Sequence, residues 1–194
     1  LVVVDQFIDL TKRRQSTFFD RGVAAHVAFS DPVCPVLADT VYRAAQTVGE
    51  QIEAGARPQV HQGGTYVCID GPQFSTRAES LLYRSWGVEV IGMTNLPEAR
   101  LAREAQMAYA TIALATDYDC WHEGHDDVTV DMIIETLTKN AATAQRVVSE
   151  AVSRLPVERG CECATALGSA IITRPDLIPD DVKRDLAPII GKYI

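Results

Sequence analysis

The chain has 194 residues, and its 47% hydrophobic and 23% charged content is that of an ordinary globular protein and excludes a disordered chain. Its formal charge of -8 argues against a general nucleic-acid-binding surface, because phosphate contacts need clustered basic side chains and only 18 lysines and arginines are spread along the sequence. We therefore expect a small-molecule partner and no nucleic acid.

Short apolar runs argue against a membrane protein. None approaches the roughly 18 apolar residues that a membrane span needs, and the start, LVVVDQFIDLTKRR, has no basic region ahead of its apolar one. The five cysteines are odd in number and sparse, which favours a reducing compartment over a disulfide framework. Cys161 and Cys163 form a C-x-C pair, which can close a strained local disulfide. Because no second Cys/His pair is near them in the sequence, we expect structural thiols and no metal. The prediction is a cytoplasmic protein without membrane contacts.

The order of strands and helices along the chain indicates the fold class. Apolar or β-branched runs predict strands at residues 1–8, 23–29, 64–70, 88–92 and 110–116. Helical spacing predicts helices at 36–54, at 76–86, from near Pro97, at 129–154, 164–173 and 180–192. Thr76 and Glu79 form a capping-box pattern at the start of the second helix. We therefore predict an α/β fold of three layers, with a mixed central sheet flanked by helices, as a single domain over residues 1–194.

An acidic pair follows the last predicted strand, where ATIALAT runs into Thr116, Asp117, Tyr118 and Asp119. Side chains two positions apart in a strand point to the same face, so both carboxylates should face one space. Two like charges in one space are costly unless a ligand binds there. Taken alone, these residues also fit a solvated loop or a helix cap, and both interpretations stay open.

Two further segments should meet this pair, because ligands of open α/β sheets collect beyond the carboxyl ends of strands. VEVIG runs into Met93 and Thr94, and IDGPQFST places Phe74 and Ser75 just ahead of a helix. An aromatic face, hydroxyls and two carboxylates suit a purine nucleoside. A protonated carboxylic acid donates to N7 of adenine, and a carboxylate accepts from its 6-amino group.

Three long segments carry a resemblance to a known family: DQFIDLTKRRQSTFF, GTYVCIDGPQFSTRAESLLYRSWGVEVIGMTNLPEARLAREAQMAYATIALATDYDCWHE and CECATAL. They resemble the methylthioadenosine phosphorylases, a branch of the trimeric purine nucleoside phosphorylases, over nearly the whole chain. The resemblance implies a homotrimeric pentosyltransferase of purine and methionine salvage. In this family, phosphate attacks C1' of 5'-methylthioadenosine and releases adenine and 5-methylthioribose 1-phosphate. Inorganic phosphate is a co-substrate, and no cofactor is implied.

The resemblance also implies roles for single residues. Asp117 would hydrogen-bond or protonate N7, and Asp119 would bind the 6-amino group. Phe74 would stack near the base, with Ser75 beside it. The other substrate-binding residues implied are Met93 at the ribose hydroxyls, Thr94 at the phosphate, Thr116 beside the acids, Val130, Ile133 and Ile134 in a methylthio pocket, and His26 at the 5' end of the nucleoside in a neighbouring subunit.

The pocket assignment agrees with physical chemistry, although the alternative of plain core positions stays open for these residues. A methylthio group gains by burial, whereas a 5'-hydroxyl among Val130, Ile133 and Ile134 would lack a hydrogen-bond partner. His26 alone in an apolar run would equally suit a core histidine. TKRRQ, residues 11–15, is predicted as an exposed turn without a role in phosphate binding.

The sequence departs from the family pattern at two places. Gln73 stands where the family's GPRF motif has arginine. The glycine-rich phosphate-binding loop, an arginine–histidine pair and a further threonine of the family are not in the sequence, so we expect an upstream segment that carries most of the phosphate site. The alternatives are a broader purine nucleoside phosphorylase, a hydrolytic nucleosidase, or a non-catalytic nucleoside-binding fragment if the chain starts at Leu1.

Overall fold

The computed structural model describes residues 1–122 and 130–194, without the side chains of residues 130–133. The helices are α1 (Pro35–Glu50), α2 (Arg77–Ser85), α3 (Asn95–Glu104), α4 (Val130–Ser153) and α5 (Asp180–Ile190). The strands are β1 (Val2–Val4), β2 (Gln6–Asp9), β3 (His61–Gln62), β4 (Thr65–Cys68), β5 (Val88–Gly92) and β6 (Thr111–Ala113). Within the described residues, no helix combines the length and the apolar character that crossing a bilayer requires.

The strands form two three-stranded sheets. In the first, β1 lies between β3, which is parallel to it, and β6, which is antiparallel. In the second, β4 lies between β2 and β5, and all three are parallel. One buried cluster joins the two sheets to α3 and consists of Val4, Tyr66, Cys68, Leu96, Ala99 and Ala113. The predicted α/β class with mixed pairing and flanking helices is confirmed, but two sheets stand where one was expected.

The division into two sheets occurs at Asp5, in the middle of the first predicted strand. The Asp5 carboxylate accepts a hydrogen bond from the backbone N–H of Gly64 at 3.1 Å, and the Asp5 N–H donates to the Gly64 carbonyl at 3.2 Å. Gly63 and Gly64 have φ of 81° and 127°, which glycine tolerates best. Asp5 therefore forms its hydrogen bonds with the turn at Gly63 and Gly64 and not with a neighbouring strand. The strand is interrupted at this residue, and β1 and β2 belong to different sheets.

Two predicted elements are wrong, and one cause explains both. Residues 23–29 form only an isolated bridge, between Ala25 and Ile171. No α-helix forms over residues 164–173, where a short 3-10 helix, Glu162–Thr165, is followed by turns. The N–H of His26 donates to the Ala170 carbonyl at 2.9 Å, and the N–H of Ile172 donates to the Ala24 carbonyl at 2.8 Å. Because the Ala170 carbonyl and the Ile172 N–H pair with residues 24–26, these two groups are not available for helical bonds, and two bonds are too few to form a regular sheet.

The start of α3 agrees with the prediction. The helix is assigned from Asn95, but Leu96 has φ -115° and ψ 128°, so regular helical geometry begins at Pro97. The residue before a proline avoids the helical region for steric reasons. The chain therefore leaves β5, passes Met93 and Thr94, and enters the helix at Pro97.

The apolar residues of α4 follow helical spacing and form a stripe along the helix, which is buried only in part. Val147 and Ala151 pack against Ala44, Ala45 and Val48 of α1. The remaining described apolar residues of the stripe are exposed, namely Ile134, Leu137, Val148 and Val152. Among the described residues, nothing covers this apolar side of α4.

The predicted capping box of α2 is confirmed and supports a first testable prediction. The Thr76 hydroxyl accepts from the Glu79 N–H at 3.3 Å, and the Glu79 carboxylate accepts from the Thr76 N–H at 2.7 Å. We expect Thr76→Ala to lower the free energy of unfolding by about 1 kcal/mol, because a helix N–H loses its partner. Urea denaturation measures the change. Thr138→Ala, in the exposed middle of α4, is the control and should cost less, since alanine favours helix interiors. Equal losses would contradict a capping role.

Candidate active site

Loops at the ends of the strands meet as the sequence predicted. The Cys120 thiol lies 3.8 Å from the Ser75 carbonyl, which it donates to, and this contact joins the loop after β4 to the acidic segment. A Cβ added at Gly71 would lie 2.9 Å from Sδ of Met93, so the loops after β4 and β5 are also in close contact. The segments carrying the predicted aromatic, hydroxyl and carboxylate groups therefore form one region of the surface.

The acidic segment is a bend instead of the end of a strand. β6 stops at Ala113, which pairs with Val2 at the start of β1, and no described strand continues the ladder beyond it. Asp117 lies in the bend with an exposed side chain, and its Oδ1 accepts from the Thr116 hydroxyl at 2.5 Å. Asp119 is half-buried and its Oδ1 accepts from the Cys120 N–H at 2.8 Å. The predicted strand over residues 110–116 is therefore too long, and strand alternation does not determine where the two carboxylates point.

Helix α4 and aromatic side chains hold this bend in place. The Asn140 side chain donates to the Ala115 carbonyl at 2.9 Å. The rings of Tyr118 and His122 stack with centroids 4.5 Å apart, and the Arg84 guanidinium lies 3.8 Å from the centroid of Trp121. Stacking and cation–π contacts of this kind contribute about 0.5–1.5 kcal/mol each. The loop carrying the two acids is thereby attached to both α2 and α4.

Asp119 faces the space between α2 and β5. With Ser80, Tyr83 and Trp121 it lines a cavity of about 40 Å³. Burial raises the pKa of the Tyr83 hydroxyl, and the negative charges of Glu79 and Asp119 raise it further. A cavity of this size holds about one water molecule, whereas ligand pockets span roughly 300–1,000 Å³. This cavity is therefore too small to enclose a ligand of nucleoside size.

Tyr66 shapes the end of β5. A Cβ at Gly92 would lie 1.9 Å from the Tyr66 hydroxyl oxygen, so only glycine fits there. Burial raises the pKa of Tyr66, and hydrogen bonding with Thr94 opposes that rise. Thr94 itself is exposed. Its hydroxyl is thus held at the strand end and remains accessible to a ligand.

Arg14 is the residue that sequence reasoning missed. Its guanidinium donates to the Asp70 carboxylate at 3.0 Å, to the Met93 carbonyl at 2.8 Å and to the Leu96 carbonyl at 2.6 Å. The side chain is therefore a clamp between the ends of β4 and β5 and the start of α3, and the prediction of an exposed turn is wrong for it. In the run TKRRQ nothing distinguishes Arg14 from its neighbours, so no sequence signal marked it.

The other predicted site residues differ in their surroundings. The Ser75 hydroxyl is buried, whereas Phe74 and Ile134 are 82% and 56% exposed. His26 is exposed and belongs to the segment that pairs with the C-terminal part of the chain. The side chains of Val130 and Ile133 lie outside the described residues. The structure thus brings together the loops that carry Ser75 and Met93 and the acidic bend. His26 is not in this group, because its backbone pairs with Ala170.

Comparison with known proteins identifies the family. The family model described as the phosphorylase superfamily matches residues 1–153. The chain belongs to the phosphorylase superfamily. The resemblance stated from the motifs is thereby confirmed at the level of the family.

Similar proteins with the same name match this phosphorylase superfamily member. The S-methyl-5'-thioadenosine phosphorylases of Koribacter versatilis and Geobacter sulfurreducens are 56% and 57% identical to it, over 99% and 100% of this chain and 63% and 65% of their own lengths. A crystal structure of a methylthioadenosine phosphorylase from an antarctic soil metagenomic library matches with a TM-score of 0.88 and 47% identity, over 97% of this chain and 64% of that one. The chain therefore spans slightly less than two thirds of the length of these relatives.

A bound nucleoside appears in a more distant relative. A mutant adenosine/methylthioadenosine phosphorylase from Schistosoma mansoni, crystallised with methylthioadenosine, matches with a TM-score of 0.71 and 34% identity, over 81% of this chain and 58% of that one. This superfamily member and that nucleoside-binding protein share one fold. Carboxylates, hydroxyls and an exposed aromatic ring in a single region are groups that bind a flat, hydrogen-bonding ligand.

Proposed function

We propose that the protein is an S-methyl-5'-thioadenosine phosphorylase. The observation that carries the proposal is the 56–57% identity, over practically the whole chain, to two relatives of that name. The reaction is the phosphorolysis of 5'-methylthioadenosine to adenine and 5-methylthioribose 1-phosphate, in the cytoplasm, as a step of purine and methionine salvage.

In the proposed reaction, the two acids perform different tasks. An oxygen of inorganic phosphate forms a bond to C1' of the ribosyl group as the C1'–N9 bond breaks, and the bonding electrons pass into the purine. Asp117 is the general acid that hydrogen-bonds N7 or donates a proton to it, so that adenine leaves as a neutral base. Asp119 accepts from the 6-amino group, and its half-buried position beside Tyr83 suits a fixed hydrogen-bond acceptor.

The remaining contacts bind the ligand. Phe74 stacks near the base with Ser75 beside it, while Met93 holds the ribose hydroxyls and Thr94 contributes to the phosphate site. The Arg14 clamp on the carbonyls of Met93 and Leu96 supports this assignment, because it fixes the backbone on both sides of Thr94. Such fixed positioning of reacting groups contributes strongly to catalysis.

We also propose that the active form is a homotrimer. Phe74, Ile134 and the apolar side of α4 are uncovered in one chain, and large exposed apolar groups favour an interface or a ligand site. In the trimer, His26 of one chain reaches the 5' end of the nucleoside bound to its neighbour. Ile134, with Val130 and Ile133, lines the methylthio pocket, where a thioether gains by burial and a hydroxyl would lack a partner.

The decisive experiment compares substrates with the full-length protein. Initial rates are measured with 5'-methylthioadenosine, adenosine and inosine, each with and without inorganic phosphate. We expect 5'-methylthioadenosine to be cleaved fastest and only when phosphate is present. Faster cleavage of inosine would overturn the substrate assignment in favour of a broader phosphorylase. A rate independent of phosphate would overturn phosphorolysis in favour of hydrolysis.

A further inference from the structure

Three cysteines from distant parts of the sequence meet at the start of α1. The sulfur atoms of Cys34, Cys161 and Cys163 all lie within 4.8 Å of one another, and all three are free thiols. Cys34 and Cys163 are 1% and 4% exposed, and Cys161 is half-buried. The sequence predicted structural thiols because the C-x-C pair has no ligand partner near it along the chain. The fold supplies that partner, since it brings Cys34 to the pair.

The surroundings of the cluster favour negative charge. Cys34 is the N-cap residue of the 16-residue helix α1, and helix N-termini stabilise thiolates. Arg159 adds a positive charge, and its guanidinium is fixed by donating to the Gln106 carbonyl at 2.7 and 3.0 Å. A polar cluster with two buried sulfurs, a helix N-terminus and a fixed cation is unlike the apolar setting in which inert core cysteines lie.

The thiols of the C-x-C pair differ in acidity. Burial acts to raise the pKa of Cys161, but hydrogen bonds with Cys34 and Cys163 and the charge of Arg159 outweigh it, so that the pKa lies below its ordinary value. Burial, together with the neighbouring Cys34 and Cys161, raises the pKa of Cys163 to about 12. Cysteine binds a metal ion as the thiolate, so an ion bound by this cluster would displace the thiol protons.

We propose that Cys34, Cys161 and Cys163 form a three-thiolate binding site for a single Cu(I) ion. A metal–thiolate bond is about 2.3 Å long, which places three sulfurs around a trigonal ion roughly 4 Å apart. The observed separations need only a small contraction to reach that arrangement. Thiolates select soft ions such as Cu(I). Zn²⁺ prefers four ligands, and among the described residues no fourth cysteine, histidine or carboxylate joins this group.

The test measures Cu(I) binding to the reduced, full-length protein under anaerobic conditions, in competition with a chromophoric Cu(I) chelator. We expect one ion per chain, bound more tightly than Zn²⁺. Cys34→Ser, Cys161→Ser and Cys163→Ser should each weaken binding by at least about 100-fold, since loss of a ligand costs more than the 10- to 100-fold of an outer-shell change. Cys120→Ser, at an exposed thiol outside the cluster, is the matched control and should bind as the unmodified protein does.

Three results would overturn the proposal. The first is that the unmodified protein forms no one-to-one complex with Cu(I). The second is that Cys34→Ser binds Cu(I) with full affinity, because the C-x-C pair alone would then be the binding group. The third is that the protein binds Zn²⁺ more tightly than Cu(I). The readout is metal binding alone, so it is independent of the phosphorolysis proposed above.

A second measurement needs no variant, so its result does not depend on whether the protein folds after a buried thiol is replaced. The unmodified protein is alkylated with N-ethylmaleimide with and without one equivalent of Cu(I), and modification of each cysteine is followed by peptide mass spectrometry. We expect Cu(I) to slow the modification of Cys161 by at least about 10-fold and to leave the exposed Cys120 unchanged, because only the coordinated thiolate loses its nucleophilic electron pair. Equal rates with and without Cu(I) at Cys161 would contradict the site.

Discussion

Replacing Asp117 by asparagine is expected to lower kcat by about 10²- to 10⁴-fold, which is the range that a general acid contributes, while the KM for 5'-methylthioadenosine changes far less. Asparagine has the same shape and can still accept the hydrogen bond from the Thr116 hydroxyl, so the bend should keep its conformation. It has no acid proton to transfer to N7, and the base would have to leave with negative charge. Steady-state kinetics at saturating phosphate measures the effect.

The control for Asp117→Asn is a carboxylate-to-amide change on the surface. Glu158→Gln removes one negative charge at an exposed position for which we assign no role, and kcat should stay within about twofold of the unmodified protein. Full turnover in Asp117→Asn would show that the role assigned to Asp117 is wrong.

Replacing Arg14 by methionine is expected to lower the free energy of unfolding by about 3 kcal/mol. The substitution keeps much of the apolar stem but leaves the Asp70 carboxylate and the carbonyls of Met93 and Leu96 without their donor. A hydrogen bond to a charged group contributes about 1.5–3 kcal/mol, and the sum is reduced here because Arg14 and Asp70 are partly exposed and water can replace some contacts. Urea denaturation, with the slope m checked for two-state behaviour, measures the loss.

Lys12→Met is the matched control for the clamp. It removes a positive charge from the same turn, but the Lys12 side chain is exposed, and its backbone N–H keeps its bond to Asp70 at 2.8 Å. The expected loss is below about 0.5 kcal/mol. Arg14→Lys should fall between the two, because an ammonium keeps the charge without the planar fork of donors. If Lys12→Met and Arg14→Met destabilise equally, net charge is responsible and the clamp is not.

The sequence alone predicted the elements whose cause is local. β5 matches its predicted range, and α2 begins at the predicted capping box, because strand patterning and caps depend on residues within a few positions. The family was also recognisable, since the long motifs of residues 64–123 are highly specific. The sequence also predicted that the Ser75 loop lies close to the acidic segment, because loops gather at the carboxyl ends of strands. The contact between the Cys120 thiol and the Ser75 carbonyl agrees with this prediction.

Tertiary contacts decided the rest, because each of the missed features joins residues that lie far apart in the sequence. Residues 23–29 have a strand-like sequence but pair with another segment only at an isolated bridge. β6 ends at Ala113 because this residue pairs with Val2, the first residue of β1. In both cases the apolar pattern was not sufficient to form the predicted strand. Arg14 became a clamp because two strand ends converge on it. Cys34 met the C-x-C pair only through the fold. The side-chain pattern of a short segment specifies its preference for a strand, a helix or a turn. The strand, carbonyl or thiol that the segment pairs with comes from residues far away in the sequence, so the pattern of the segment does not contain it.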